Sequence, residues 1–137
     1  MKIAIRYFTK SKKGNTFKLA TVVSEVAKVE ALTVDNDLVE GVDLLFLVNA
    51  MYAASIDKEI KEFLKRNAQN IKLLVNVNSA ASGASTFKVV KKACDKLNIQ
   101  ISDKEYHTVA SWLGLNKNRP NDDDLNRLRD FVKSVIE

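Results

Sequence analysis

Cysteine, histidine, proline and tryptophan each occur only once in this chain. A lone Cys94 excludes an internal disulfide. One Cys and one His cannot build a Cys/His metal cluster. A reducing, cytoplasmic setting is the default that follows. Four glycines and one proline among 137 residues leave no linker and no low-complexity stretch. Long apolar runs are missing as well. The longest, Val42 to Ala54, is broken by Asp43 and Asn49, too short and too polar for a membrane span. The segment Met1-Lys2-Ile3-Ala4-Ile5-Arg6 has Arg6 inside its apolar part and no small-residue cleavage site, so it does not read as a signal peptide. One domain over residues 1–137 is expected, large enough to bury a sizeable core.

Arginine is also scarce. Arg6, Arg66, Arg119, Arg127 and Arg129 are scattered along the chain. No helix carries a basic face interleaved with aromatics, so nucleic acid is not the favoured partner. The net charge is nonetheless +5, with a pI near 9.3. That balance suits anionic ligands or partners, and it suits equally a solvated lysine-rich surface.

What is present is an alternation of strands and helices. An almost unbroken apolar run over residues 2–8 predicts a first strand covered on both faces. Phe17, Ala20, Val23 and Ala27 give the inward face of a helix over 15–27. Residues 29–34 read as a short second strand near an edge. Residues 42–48 carry the strongest strand signal and should lie centrally. A helical turn at Leu38-Val39-Glu40 could separate the two. Ser55 is a good N-cap for a helix to about residue 67. Residues 71–77 are a strand, and Phe87, Val90, Cys94 and Leu97 mark the next helix. The last strand begins at Ile99-Gln100-Ile101 and continues or re-enters at Tyr106–Ala110. Asn121 caps a final helix whose first turn is Asp122-Asp123-Asp124, a start signal that complements the positive helix end. The order β-α-β-β-α-β-α-β-α argues for an open parallel sheet with helices on both faces. Ligands then sit beyond the carboxyl ends of the strands. The loops at those ends are 9–16, 35–41, 49–55 and 78–85.

The first of these loops organises the chain. It is rich in hydroxyls and lysines, and it lies between a strand and a helix start. The helix start offers free N–H groups and partial positive charge to a phosphate. Thr9, Ser11 and Thr16 can add hydroxyls, Asn15 an amide, Lys10 and Lys13 positive charge. Gly14 permits close backbone approach. The alternative is a plain surface turn.

Strand, Ser/Thr-rich loop, Gly14-Asn15-Thr16, then helix resembles the FMN phosphate loop of flavodoxin-like proteins. Asn49-Ala50-Met51-Tyr52-Ala53 is similar to the loop that sets small residues and an aromatic against the flavin ring in that family, without its frequent proline. Ser79-Ala80-Ala81-Ser82 resembles the loop on the ring's other side. Asn118-Arg119-Pro120-Asn121 before an acidic helix start is similar to a subgroup of short-chain flavodoxins. The resemblance spans the chain. It implies a three-layer α/β sandwich with five parallel strands in the order 2-1-3-4-5. It also implies FMN, bound without covalent attachment by Thr9, Lys10, Ser11, Lys13, Gly14, Asn15, Thr16, Asn49, Ala50, Met51, Tyr52, Ala53, Ser79, Ala80 and Ala81. Electron transfer to a redox protein or to a small-molecule acceptor follows, in a monomer or homodimer. The chain departs from the family in its basic charge, because electron-carrying flavodoxins are usually acidic. The reading from a different class is a non-redox basic module that binds an anionic partner.

Other nucleotide and signalling folds are excluded by motif. There is no Gly-x-Gly-x-x-Gly, no Walker loop, and no acid cluster of the receiver type. Cys94 falls at core spacing and reads as a structural thiol, His107 as a strand residue, and Trp112 as a hydrophobic cover.

Overall fold

The computed structural model describes residues 1–10 and 14–137. Five parallel strands form one sheet, β1 (Ile3–Tyr7), β2 (Ala31–Thr33), β3 (Leu44–Ala50), β4 (Leu74–Ala80) and β5 (Tyr106–Val109). Their spatial order is β2-β1-β3-β4-β5. The helices are α1 (Asn15–Ala27), α2 (Lys58–Asn67), α3 (Phe87–Leu97) and α4 (Asp122–Ile136). Both the strand order and the expected alternation of elements are present.

Two cores sandwich the sheet, and the period of two along β3 divides it between them. Leu44, Phe46 and Val48 join Leu19, Val23, Leu128 and Val132 on the α1/α4 face. Leu45 and Leu47 join Ile60, Phe63, Leu64, Val90 and Cys94 on the α2/α3 face. Every residue of β3 and β4 is buried, which explains the unbroken apolar run Leu44–Val48 of β3. Cys94 is fully buried, and burial pushes its thiol up to about 11. It is a core residue.

Several boundaries differ from the sequence reading, each for a tertiary reason. Strands β3 and β4 run on through Ala50 and Ala80, because Asn49 pairs with Asn78 and Ala50 with Ser79. Helix α2 starts at Lys58 and not after Ser55. Ser55 is committed to a tight turn, exchanging both backbone hydrogen bonds with Tyr52 at 2.8 Å. No helical turn forms at residues 38–40; the Leu38 N–H is held by Asn67 Oδ1 at 2.8 Å, which ties this connection to the end of α2. The last strand is confined to Tyr106–Val109, and Ile101 makes only an isolated bridge with Leu74.

The acidic start of α4 is a capping box. Asp124 N–H donates to Asn121 Oδ1 at 2.9 Å, and Asn121 N–H donates to Asp124 Oδ2 at 2.8 Å. Arg119 adds a two-pronged ion pair to the same buried carboxylate at 2.6 and 3.0 Å. Among the described residues no group of acids, His or Cys could hold a metal, and no helix is long and apolar enough to cross a membrane.

Candidate functional site: a cleft at the carboxyl ends of the strands

Strand order reverses between β1 and β3, and the loops that leave them diverge there. A cleft of about 820 Å³ opens at that place. Its size lies within the range of cofactor and ligand pockets. Four segments line it: Thr9 with Gly14-Asn15-Thr16, Ala50-Met51-Tyr52-Ala53, Ser79-Ala80-Ala81, and Ala110-Ser111-Trp112-Leu113.

The first segment ends β1 and begins α1. Gly14 takes the N-cap position with φ −78°, extended backbone that any residue adopts, so left-handed geometry is not why glycine stands there. As the cap it offers no side-chain acceptor, and no acidic residue falls in the first turn of α1. Helix α4 is the opposite case, capped by its own side chains and carrying three acids. The start of α1 is thus the helix end better suited to an external anion. Thr16 is buried at the cleft wall. Ser11 and Lys13 lie outside the described residues.

The second and fourth segments share one local design. Tyr52-Ala53-Ala54-Ser55 closes on itself by two 2.8 Å backbone bonds, with Ala53 and Ala54 at φ 48° and 62°. Trp112-Leu113-Gly114-Leu115 closes by bonds of 3.0 and 2.8 Å, with Leu113 and Gly114 at φ 46° and 83°. Two successive positive φ angles are the mark of a type I′ turn. Each turn opens with an aromatic residue, and both aromatics line the cleft. Trp112, read from sequence as a hydrophobic cover, is 56% exposed and stands at the cleft.

Lys10 does not line the cleft but supports one of its walls. Its ammonium stands 4.4 Å from the Tyr52 ring centroid and 3.7 Å from Asp57. Burial, then the Asp57 charge, pushes the Tyr52 phenol above its ordinary value. Burial likewise pushes the Asp57 carboxyl up, against the pull of Lys10.

Asn49 sits beneath the cleft and does not line it. Its side chain is fully buried, donating to Asn76 Oδ1 at 2.8 Å and accepting from Thr86 Oγ1 at 2.7 Å. Asn76 closes the ring by donating to Thr86 Oγ1 at 2.9 Å. Asn78 bonds Ala84 O and the Thr86 N–H at 3.0 and 3.1 Å. These amides fasten the segment after β4 to the sheet. Among the described residues no buried side-chain polar atom is left without a partner. The small residues of the third wall keep the cleft open.

Eleven of the residues expected from sequence line one cleft: Thr9, Gly14, Asn15, Thr16, Ala50, Met51, Tyr52, Ala53, Ser79, Ala80 and Ala81. The segment from Ala110 to Leu113 was not expected there. The signal for it was available: an aromatic followed by Leu113-Gly114, directly after the last strand, where a turn must fall. Segment 35–41 contributes nothing to the cleft. His107 is exposed on β5 and bonds Gly83 O at 2.8 Å.

Superposed on solved structures, the chain matches a flavodoxin from the domain Archaea with a TM-score of 0.76 over all of both chains, at 12% identity. The fold is flavodoxin-like. A short-chain flavodoxin associated with a non-canonical PDU bacterial microcompartment matches at 0.70 and 13% identity, over 99% of this chain and 97% of that one. An NADH:FMN oxidoreductase in its apo form matches at 0.66 and 16% identity, over 96% and 86%. In sequence, the chain is 27% identical over 136 residues to an uncharacterised protein of Methanocaldococcus jannaschii, covering 90% of this chain and 91% of the relative. No family model matches. Within the flavodoxin-like fold, the cleft occupies the switch point where this architecture binds its ligands.

Proposed function

We propose that the cleft binds FMN without covalent attachment, and that the protein is a cytoplasmic electron carrier or small flavin reductase. One observation carries this reading: the start of α1 and two aromatic-led turns converge on a single cleft. FMN needs that combination, an anion site for its phosphate and flat apolar walls for its ring. The residues present fit the group. Gly14, Asn15 and Thr16 would meet the phosphate with backbone N–H groups and the Thr16 hydroxyl, beside Thr9. Tyr52 and Trp112 would face the ring. The backbone of Ala50-Met51 and of Ser79-Ala80-Ala81 would meet its polar edge, because side chains there are small enough to let the main chain approach.

The flavin, when bound, supplies the redox chemistry. The protein's own part is to bind and orient it and to govern access. Tyr52 and Trp112 would shield the ring faces from water, and the half-exposed Trp112 turn would leave an edge open to the electron donor or acceptor. That partner is a redox protein or a small molecule, served by a monomer or a homodimer.

The first test is the visible absorption spectrum of the purified protein, then a titration with FMN followed by flavin fluorescence. Flavin bands, or quenching with a one-to-one endpoint, are expected. Replacing Thr16 with Ala should weaken FMN binding about tenfold, the order expected for a lost charge-assisted hydrogen bond. Absence of bands and of quenching at saturating FMN would defeat the redox reading and favour a non-redox module that binds an anionic partner.

A further inference from the structure

Asn15 occupies the position where the sequence suggests an amide donor for the phosphate. Its side chain is engaged elsewhere. Nδ2 donates to Ser111 O at 3.1 Å and lies 3.3 Å from Ser111 Oγ. A carbonyl partner requires the NH2 group, so the orientation of the amide follows from the contact itself. These bonds span 96 positions in the chain and join the first turn of α1 to the residue immediately before Trp112. A second amide holds the other end of the same segment. Asn116 Nδ2 donates to Ala81 O at 2.7 Å and to Ala110 O at 3.4 Å. Between these two latches stands the exposed turn Trp112–Leu115, whose apolar side chains bury little: Leu113 is 81% and Leu115 58% exposed. Packing does little to fix that turn: its own two backbone bonds set its shape, and the latches, with the Ser111 N–H bond to Arg119 O at 2.9 Å, tie it to the rest of the cleft.

We infer that Asn15 is a positioning residue for the aromatic wall and not a ligand of the anion. The inference rests on the flavin reading of the cleft and assigns Asn15 to its ring half. With the latch intact, Trp112 is held ready, and ring binding does not first have to order it. Without the latch, part of the ring's binding energy is spent on ordering the turn. The start of α1 keeps its backbone N–H groups in either case, so the anion loses little.

The experiment separates the two halves of the ligand. Inorganic phosphate, riboflavin and FMN are each titrated into the wild type and the N15A variant. Trp112 is the chain's single tryptophan, so its emission reports on the wall directly. The expected result is a loss of about tenfold in both riboflavin and FMN affinity, for two lost hydrogen bonds, with phosphate affinity unchanged. Trp112 emission should shift in the ligand-free variant. N116G, which removes the second latch at a residue with φ 54°, should reproduce the same ring-specific loss. In a W112A background, N15A should cost riboflavin little, because the wall that the latch positions is already gone. A loss of phosphate affinity in N15A, or no change with any ligand, overturns the assignment. A wild type that binds phosphate but neither flavin overturns the flavin reading itself, a result distinct from both.

Discussion

Lys10 places its ammonium 4.4 Å from the centre of the Tyr52 ring and 3.7 Å from the Asp57 carboxylate. This contact joins the loop after β1 to the turn that opens the second wall. A cation held over an aromatic face is worth about 0.5–1 kcal/mol where solvent reaches it. The larger consequence is electrostatic. If FMN binds with Tyr52 against its ring, as proposed, the Lys10 charge behind Tyr52 would favour the reduced, more negative state of the flavin.

Replacing Lys10 with Glu should therefore make the midpoint potential of bound FMN more negative, and replacing it with Gln should shift it less in the same direction. Equilibrium reduction against a reference dye measures this. The shift should shrink at high salt, because Lys10 is largely exposed and its charge is screened. A potential unchanged by Lys10→Glu would remove Lys10 from the environment of the ring.

The buried ring of Asn49, Asn76 and Thr86 makes a different prediction. Thr86→Val keeps the shape of the side chain and removes the hydroxyl that bonds both amides. It leaves Asn49 Oδ1 and one Asn76 donor to find other partners in a dry site. A cost of about 2–3 kcal/mol is expected by denaturant unfolding. Asn49→Ala should cost a similar amount. If neither variant is destabilised, the ring does not hold the wall after β4.

Asp124 ties acid stability to the start of α4. Burial pushes its carboxyl up, but the Arg119 guanidinium and the Asn121 N–H outweigh it and hold the group below its ordinary 3.8. A carboxylate depressed in the folded state stabilises fully above its unfolded value and loses that contribution as pH falls through the folded one. Stability should drop on acidification below about pH 4. Asp124→Ala should cost about 1–2 kcal/mol at neutral pH, by loss of the capping box and the ion pair. Asp124→Asn should cost less and flatten the acid limb. An acid limb identical in wild type and Asp124→Asn would exclude this carboxylate as its source.

The two type I′ turns predict opposite outcomes for glycine. Ala54 holds φ 62°, a strain that a side chain pays and glycine does not. Ala54→Gly should stabilise by about 0.5–1 kcal/mol after the entropy of glycine is counted. Gly114, at φ 83°, already has the suitable residue, and Gly114→Ala should destabilise by about 1 kcal/mol. Thermal unfolding of the two variants checks both signs. Equal signs would show that backbone strain does not govern these turns.

The extent of α1, the cap at Asn121 and the order of elements all follow from local patterns, whereas the inward face read for α1 holds only at Ala20 and Val23 and omits the buried Leu19 and Val22. Helical periodicity and capping chemistry are short-range, so they are legible without the fold. The strand order was read through the resemblance of the first loop and of the loops after β3 and β4, because crossover handedness alone does not choose an order. The carboxyl ends of β3 and β4 were not legible, since Asn49, Asn78 and Ser79 look like turn residues. Only their pairing across the sheet keeps them extended.

The sandwich and three of the four walls of the cleft were legible in the residues, because those walls begin at strand ends and their composition marks them. The tertiary structure decided the rest. It turned Asn49 inward to Asn76 and Thr86, where strand periodicity places it on the α2/α3 face. It brought Trp112 into the cleft and committed Asn15 to Ser111. Those contacts join residues tens of positions apart, and no local pattern encodes a hydrogen bond that forms only when the sheet has closed the distance.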